Sequence, residues 1–333
     1  MDLSYPAPRV LSGITPSGPL TLGNYLGALR RFVAGQDVCD GYFFVADLHA
    51  MTTKHGPARL QELTLQTAAL FLAAGLDQDR STVFVQSHVP EHVELAYLLE
   101  CTAYVGELAR MIQFKQKGGR PRTRASLFTY PCLMAADILL YDTSSVPVGG
   151  DQDQHVELAR DLAVRFNREY GDTFVVPAPG RAAIAARVAD LADPHAKMSK
   201  SAPDAAIGVV RMLDPPDLIR RKVSRAVTDS DTDLRYDPED KPGVSNLLDI
   251  VAAIRSDDPR RLASEFTSYR ELKEACADAV VGLLEPIQQQ YAMLMADQTE
   301  VTEALRAGAA RARLVSSGVL TRARAAIGLV VPS

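Results

Sequence analysis

Two close pairs of lysines are the residues with the clearest potential for chemistry. Among the 36 basic residues 28 are arginines and 8 are lysines, yet four of these lysines form the pairs Lys115/Lys117 and Lys197/Lys200. A flexible ammonium group can follow a phosphate oxygen that moves during a reaction, whereas arginine suits fixed bidentate pairing. The pairs therefore favour phosphate chemistry, although chance clustering would give the same pattern.

The second pair lies in the segment AKMSKS, residues 196–201, between Pro194 and Pro203. Flanking prolines break regular structure, so the segment is predicted to be a loop. Such a loop could place positive charge on a pyrophosphate leaving group, where it acts mainly in the transition state. By composition alone, an ordinary basic surface loop is the better interpretation.

A second candidate segment is SGITPSG, residues 12–18, followed by TLGN at 21–24. A strand that leads through a glycine-containing turn into a helix N-terminus is a ready anion site. Gly18 and Gly23 would allow close approach of the backbone to a nucleotide, and Asn24 supplies an amide donor. Alone, such a turn is more often only a turn. The chain has neither GxGxxG nor GxxxxGK[ST], which argues against a dinucleotide site and a P-loop.

A single carboxylate stands out in the apolar segment MAADILL, residues 134–140. Asp137 must find a partner if this helix is buried, because an isolated buried charge is costly. From the residues alone, a structural cap or an ion pair is as good an interpretation as a binding role.

Hydrophobic periodicity indicates which elements position these residues. Short apolar strands at 9–14, 42–46, 82–86 and 146–148 alternate with helices predicted at 22–33, 60–75, 91–104, 133–141 and 154–167. This alternation predicts a parallel sheet covered on both faces. Beyond about residue 190 only helices are predicted, at 217–227, 244–254, 260–267, 272–284, 287–296, 299–313 and 316–329. We therefore expect an α/β domain over 1–190 and an all-helical domain over 191–333, whose last helix could pack back on the first.

Composition narrows the class of protein. The 333 residues are 47% hydrophobic and 23% charged, which is ordinary for a globular protein of two domains. The four cysteines are far apart, so neither zinc nor disulfides are expected. Neither a leader peptide nor a membrane span is predicted, and we expect a cytoplasmic protein. The net charge is −5, but five arginines and no acidic residue follow Glu303. That stretch is either a solvated helix face or a phosphate-contacting one.

The two candidate segments together resemble the signature sequences of class I aminoacyl-tRNA synthetases. KMSKS is present at 197–201, and TLGN at 21–24 is similar to the HIGH signature in its tryptophanyl form. Further similarity is carried by AADILLY at 135–141, VPVG at 146–149, DQDQH at 151–155 and AVTDS at 226–230. The resemblance covers about residues 10–290 and is specific to the bacterial tryptophanyl enzymes. It implies a Rossmann-like catalytic domain that activates tryptophan with ATP and transfers it to tRNA(Trp).

The resemblance also implies residue roles. Catalysis would involve Asn24, Lys115, Lys117, Lys197 and Lys200. ATP would be contacted by Thr15, Ser17, Gly23, Asn24, Gly149, Asp151, Lys197, Met198, Ser199, Lys200 and Ser201. Tryptophan would be bound by Leu11, His49, Tyr130, Met134, Asp137, Val146, Val148 and Gln152. Mg²⁺ would be held by the ATP phosphates, with no metal site on the protein and no organic cofactor.

Within this resemblance Asp137 would accept the indole N–H, which can only donate, and Met134 would suit a wide bicyclic ring better than a phenol. Three positions depart from the usual pattern: Thr15 replaces a glutamine, Leu11 an aromatic residue and Gly150 a carboxylate. A homodimer is implied, with the helical domain contacting the anticodon region. The alternatives are a weakened paralogue that senses tryptophan or binds a partner, and a nucleotidyl transferase that stops after adenylation.

Overall fold

A five-stranded parallel sheet forms the centre of the molecule. The computed structural model describes residues 8–143, 145–146, 153–179, 188–203, 205–231 and 233–330. The strands are β1 Arg9–Ile14, β2 Asp40–Val45, β3 Ser81–Val85, β4 Ser145–Val146 and β5 Ala178–Pro179, in the order β3-β2-β1-β4-β5. All pairs are parallel. The predicted α/β class and Rossmann-like parallel sheet are therefore confirmed, with the strand order reversing between β1 and β4.

Helices connect the strands and form the second half of the chain. They are α1 Leu22–Asn24, a π-helical turn Tyr25–Leu29, α2 Arg30–Gly35, α3 Asp47–Ala50, α4 Pro57–Ala73, a 3₁₀ turn Gln86–His88, α5 Glu91–Glu100, α6 Val105–Ala109, α7 Ile112–Lys117, α8 Ser126–Leu139 and α9 Asp153–Tyr170. The later ones are α10 Pro216–Ser224, α11 Pro242–Arg255, α12 Pro259–Ala263, α13 Tyr269–Ala296 and α14 Thr299–Ile327. Within the described ranges, no helix is both long and apolar enough to cross a membrane.

Two predicted breaks in the C-terminal helices are wrong. The segments 272–284 and 287–296 form one helix, α13, that continues through Pro286, and 299–313 and 316–329 form the single helix α14. Proline removes one backbone donor and disfavours a helix interior. In α13 the buried side chains Leu284 and Ile287 flank Pro286, so packing on both sides outweighs that local penalty.

The side chains of the strands alternate between two hydrophobic cores, one on each face of the sheet. On β2, Phe43 and Val45 belong to a core shared with α4, α11 and α13, whereas Tyr42 and Phe44 belong to a core shared with α5, α8, α9 and α14. This period of two is that of a pleated strand. Because helices from before and after residue 190 share the first core, the predicted domains are packed against each other without separate interiors.

The arginines of the C-terminal stretch make contacts inside the protein. Arg311 donates to the carbonyl oxygens of Gln78 and Ser81, Arg322 donates to Asp142 at 2.7 Å, and Arg324 pairs with Glu94 at 2.5 Å. These three arginines hold α14 on the sheet domain. Arg306 and Arg313 are exposed. Most arginines of this stretch therefore attach α14 to the rest of the protein, and two are available to an external partner.

Candidate active site

The carboxyl ends of three strands lie at one edge of the sheet. β1, β2 and β3 pair in register so that Ile14, Val45 and Val85 are aligned. The segments that follow these residues therefore meet at this edge, where β1 also borders β4. Ligands of open α/β sheets bind outside the carboxyl ends of strands, at the point where the strand order reverses.

The TLGN segment begins a helix through its own side chains. Asn24 Oδ1 accepts from the backbone N–H of Thr21 at 3.0 Å and from its hydroxyl at 3.1 Å, and Thr21 Oγ1 accepts from the Asn24 backbone at 3.3 Å. This reciprocal capping satisfies donors that a helix start leaves open. Since the Asn24 oxygen is engaged, its amide nitrogen is the atom suited to donating to a phosphate oxygen.

The two signature segments contact each other directly. Lys200 Nζ donates to the carbonyl oxygen of Thr15 at 2.7 Å. Gly18 packs so closely on the Lys200 backbone that a Cβ atom there would lie 2.3 Å from the Lys200 carbonyl oxygen. A Cβ on Gly23 would touch Met198 at 3.6 Å. Gly18 therefore tolerates no side chain at the junction between the segments, whereas a methyl group at Gly23 would make an ordinary contact.

Lys200 has a perturbed ionisation because of this placement. Burial, together with repulsion from the neighbouring Lys197 charge, lowers its pKa from 10.5 to about 8. A buried ammonium is disfavoured by the loss of water, and a nearby like charge adds to the effect. An arriving phosphate group would counteract this lowering, since its negative charge favours the protonated ammonium.

The loop 197–201 is anchored by its central methionine. Met198 is buried among the residues of the first core, and its backbone N–H donates to Val188 O at 3.2 Å. Lys197, Ser199 and Ser201 are exposed, and the two serine hydroxyls lie 3.0 Å apart. The anchored Met198 therefore leaves polar groups on both sides of it facing solvent.

The first lysine pair lies on the short helix α7. Lys115 is exposed there, and no contact within the described ranges joins it to the TLGN segment or to the loop 197–201. The side chain of Lys117 lies outside the described residues, as do Val148, Gly149, Gly150, Asp151 and Gln152. The structure therefore brings Thr15, Gly18 and Gly23 to the loop 197–201 and does not bring Lys115 there.

A second group of predicted residues lies on helix α8. Tyr130, Met134 and Asp137 are four and three residues apart, so they share one helix face. Tyr130 and Met134 are half-buried and Asp137 is buried. The Tyr130 hydroxyl bonds His155 Nε2 at 2.5 Å, and burial raises the pKa of Tyr130 to about 12. The hydroxyl is therefore protonated at neutral pH.

Asp137 is surrounded by three donors. His49 Nε2 lies 2.7 Å from its Oδ2, while Gln86 Nε2 and His92 Nδ1 lie 2.7 and 2.6 Å from its Oδ1. Burial alone would raise the pKa of Asp137, but the charge of His49 and the hydrogen bonds from both histidines lower it below 3.8. The group is thus an ionised acceptor inside the protein.

Two of the residues predicted to bind tryptophan lie in the sheet. Leu11 on β1 and Val146 on β4 are each 3% exposed and belong to the second core, with Tyr42 and Phe44. Leu11 is therefore part of this core, whatever its contact with a ligand.

Sequence reasoning missed three polar residues that support Asp137, namely Gln86, His92 and Tyr141. All three are fully buried. Gln86 follows the apolar strand β3 directly, and His92 lies in the first turn of α5. A polar residue immediately after a buried strand is a signal that could have identified Gln86, whereas nothing local distinguishes His92.

Metal binding by the protein has no candidate among the described residues, since they contain no group of three or more His, Cys, Asp or Glu side chains placed to hold an ion.

Residues 5–285 match the family of class I tRNA synthetases for tryptophan and tyrosine (W and Y). The chain belongs to this family. It is 54% identical to tryptophan--tRNA ligase 1 of Streptomyces coelicolor over 97% of this chain and 98% of the relative. Its structure is similar to that of tryptophanyl-tRNA synthetase from Mycoplasma pneumoniae, with a TM-score of 0.89, 36% identity and coverage of 97% and 98%. The enzyme from Campylobacter jejuni, solved with ADP and tryptophan, has a TM-score of 0.81, 33% identity and coverage of 96% and 100%.

Proposed function

We propose that this protein is the ligase that joins tryptophan to tRNA(Trp) in two steps. In the first, a carboxylate oxygen of L-tryptophan attacks the α-phosphorus of ATP, and the bond to pyrophosphate breaks. In the second, a terminal ribose hydroxyl of the tRNA attacks the carbonyl of tryptophanyl-adenylate, and AMP leaves. No covalent intermediate with the protein is needed, because the protein positions the reactants and stabilises charge.

The observation that carries this proposal is the junction of the two signature segments at the carboxyl edge of the sheet. Lys200 lies 2.7 Å from Thr15 O, and Lys197 is exposed beside it. Two ammonium groups next to a helix start provide positive charge where a pyrophosphate leaving group would develop negative charge. Identity of 54% to a tryptophan--tRNA ligase over almost the whole chain supports the same conclusion.

The ATP site consists of residues from both segments. We assign phosphate contacts to Ser17 and Asn24, the space under the adenine to Gly23, and the ribose to Asp151. The remaining ATP contacts come from Thr15, Gly149 and the loop residues Lys197, Met198, Ser199, Lys200 and Ser201, with Lys115 and Lys117 completing the catalytic set. Mg²⁺ enters with ATP, bound to its phosphates.

The tryptophan site lies over helix α8. Asp137 accepts the indole N–H, and Tyr130 and Gln152 bind the α-amino group. Met134, Leu11, Val146 and Val148 line the slot for the ring, with His49 at its edge. A bound tyrosine would leave the polar groups of this slot mispaired, so discrimination is possible without an editing site.

The partners follow from the second half of the chain. We propose that residues 1–190 bind the small substrates, and that 191–333 carry the loop 197–201 and the region that contacts the tRNA anticodon. We further propose a homodimer that charges tRNA in the cytoplasm. The exposed apolar side chains Val93 and Tyr97, one turn apart on α5, offer a surface that a second copy would cover.

Amino-acid-dependent exchange between ATP and pyrophosphate tests this function. The full chain should catalyse exchange with tryptophan and far less with tyrosine or phenylalanine, and should then charge tRNA(Trp). Exchange without charging would identify an adenylating or tryptophan-sensing paralogue. Exchange with tyrosine in place of tryptophan would contradict the assigned role of Asp137.

A further inference from the structure

A chain of buried hydrogen bonds lies beneath Asp137, apart from the TLGN segment and the loop 197–201. Gln86, His92 and Tyr141 are each 0% exposed, and Asp137 is 2% exposed. The chain runs from Asp137 Oδ1 to His92 Nδ1 at 2.6 Å, and from His92 Nε2 to the Tyr141 hydroxyl at 2.8 Å. Gln86 donates to the same Oδ1 at 2.7 Å. Polar groups at this depth are costly unless each is satisfied, so the arrangement calls for an explanation.

The carboxylate of Asp137 has a limited number of positions at which it can accept a hydrogen bond. An ionised carboxylate accepts at about four lone-pair positions, two on each oxygen. Gln86 and His92 occupy both positions of Oδ1, whereas His49 occupies one position of Oδ2. The acceptor position left for a ligand is therefore on Oδ2, beside His49. His49 is also the least buried of the three donors, since 14% of its side chain is exposed.

Each nitrogen of the His92 ring has one hydrogen-bond partner. Because ionised Asp137 can only accept, His92 Nδ1 must carry a hydrogen. In the neutral ring Nε2 then accepts, and the Tyr141 hydroxyl is placed to donate to it. Burial raises the pKa of Tyr141 well above 10, so this donor keeps its proton. Both ring nitrogens are thus satisfied in one tautomer, which prevents the ring from turning.

The backbone of Tyr141 is itself held in place. Its carbonyl oxygen accepts from Arg9 at 2.8 Å, and its ring lies 4.8 Å from that of Tyr42 on β2. The position of the Tyr141 hydroxyl is therefore defined by the sheet as well as by helix α8. Rigid partners of this kind give a binding group its precision.

We propose that His92, oriented by Tyr141, and Gln86 are positioning residues that saturate Asp137 Oδ1 and so present Oδ2 as the single acceptor for the indole N–H. This inference rests on the proposed function, because it assigns the specificity of the same tryptophan site. None of the three residues touches the substrate. Their effect is to make the site prefer a ring that donates a hydrogen bond over one that cannot.

The test compares tryptophan with an analogue that carries sulfur in place of the indole N–H, using ATP–pyrophosphate exchange by the full chain. The wild-type protein should activate the analogue with a lower kcat/KM. His92→Leu should lower kcat/KM for tryptophan by about 10- to 100-fold through KM, as expected for a lost hydrogen bond to a charged group, and should affect the analogue little. His92→Asn, which keeps a donor near the Nδ1 position, should recover most of the preference for tryptophan.

Tyr141→Phe is the milder variant and decides the matter if His92→Leu fails to fold. It removes one hydroxyl and should reduce the preference by about 5-fold, the size of a neutral hydrogen bond. Tyr42→Phe, on the neighbouring ring, is the matched control and should leave the preference unchanged. Equal losses with tryptophan and analogue would overturn the proposal, since they would mean a packing role only. A wild-type protein that activates no tryptophan would instead overturn the proposed function and this inference with it.

Discussion

Lys197 and Lys200 lie in one short loop but in different surroundings. Lys197 is exposed, whereas Lys200 is half-buried and donates to Thr15 O at 2.7 Å. The sequence alone does not predict this difference, because both residues are lysines in the same short segment. It arises from Met198, whose burial fixes the direction in which each neighbour points. The two lysines should therefore have different roles, with Lys197 on the exposed side of the loop and Lys200 at the junction with Thr15.

Replacing Lys197 by alanine should lower the rate of adenylate formation by orders of magnitude and leave tryptophan binding unchanged. The reason is that its charge acts on the leaving group in the transition state and not on the amino acid. Single-turnover kinetics and equilibrium titration with tryptophan measure the two quantities separately. Lys54→Ala removes another exposed lysine and should change neither. An unchanged single-turnover rate in Lys197→Ala would refute the role.

The lowered pKa of Lys200 predicts a pH dependence of activity. Because this pKa is about 8 in the free protein, kcat/KM for ATP should fall as the pH rises through that value and the ammonium loses its proton. In Lys200→Arg this decline should move out of the accessible range, since guanidinium stays charged. A decline that persists unaltered in Lys200→Arg would assign the titration to another group.

The lowered pKa of Lys200 should also make stability depend on pH, in the direction opposite to that of activity. Between about 8 and 10.5 the unfolded chain binds the proton that folded Lys200 has lost, so the free energy of unfolding should increase with pH through this window. Below pH 8 both states carry the charge, and the cost of burying it is fully present. Urea unfolding of the wild type and of Lys200→Met at several pH values measures the contribution, which should be missing in the variant.

Helix α14 shows how an element late in the chain completes an earlier one. It packs on the edge strand β3, where a Cβ atom on Gly308 would lie 1.7 Å from the carbonyl oxygen of Val83. Arg311 donates to Ser81 O nearby, at 3.1 Å. Glycine weakens a helix in general, but here it permits contact between two backbones. The helix thereby covers a strand that would otherwise present a free edge.

Gly308→Ala should therefore destabilise the protein by about 2 kcal/mol or more, because an added methyl group has no space against β3. Gly318→Ala is a matched control in the same helix, since no atom lies within 4 Å of the position that an added Cβ atom would take. It should stabilise by about 0.5–1 kcal/mol through helix propensity. The midpoints of urea unfolding give both values. Equal effects at the two positions would contradict the close approach of α14 to β3.

On the scale of the whole molecule, the two halves of the chain are joined through the first core. Ile14 and Val83 of the sheet share this core with Leu247 of α11 and Val280 of α13. The TLGN segment and the residue before it are also bonded to the second half, because Leu22 N donates to Val210 O and Met212 N to Leu20 O, both at 2.9 Å. A movement of the helical half would therefore reach the proposed ATP site directly.

The proposed homodimer predicts a change in assembly when α5 is altered. Val93 and Tyr97 are 54% and 65% exposed, and burial of such side chains against a second copy would stabilise a dimer. The double variant Val93→Glu with Tyr97→Glu should sediment as a monomer, because two buried carboxylates would lack partners. Leu314→Glu, at a 79% exposed leucine on α14, serves as control and should sediment like the wild type. Unaltered sedimentation of the double variant would place the interface elsewhere.

Much of this protein could be predicted from its sequence, because local patterns determine local structure. Short apolar runs located β1, β2 and β3, and proline and glycine located the turn at 15–18 and the loop around 197–201. The types of residue in these segments indicated phosphate chemistry, and their resemblance to known signatures indicated the family. Each of these inferences needs only neighbours along the chain, which the sequence contains.

Only the tertiary structure decided how the distant parts combine. Gln86 and His92 are 51 and 45 residues from Asp137 along the chain, and their hydrogen bonds to it depend on the pairing of the strands and the packing of α5 on α8. The continuity of α13 through Pro286 and the docking of three C-terminal arginines depend likewise on burial and partners from other elements. Long-range packing outweighs local propensity at such places, because a buried group responds to everything that surrounds it in space.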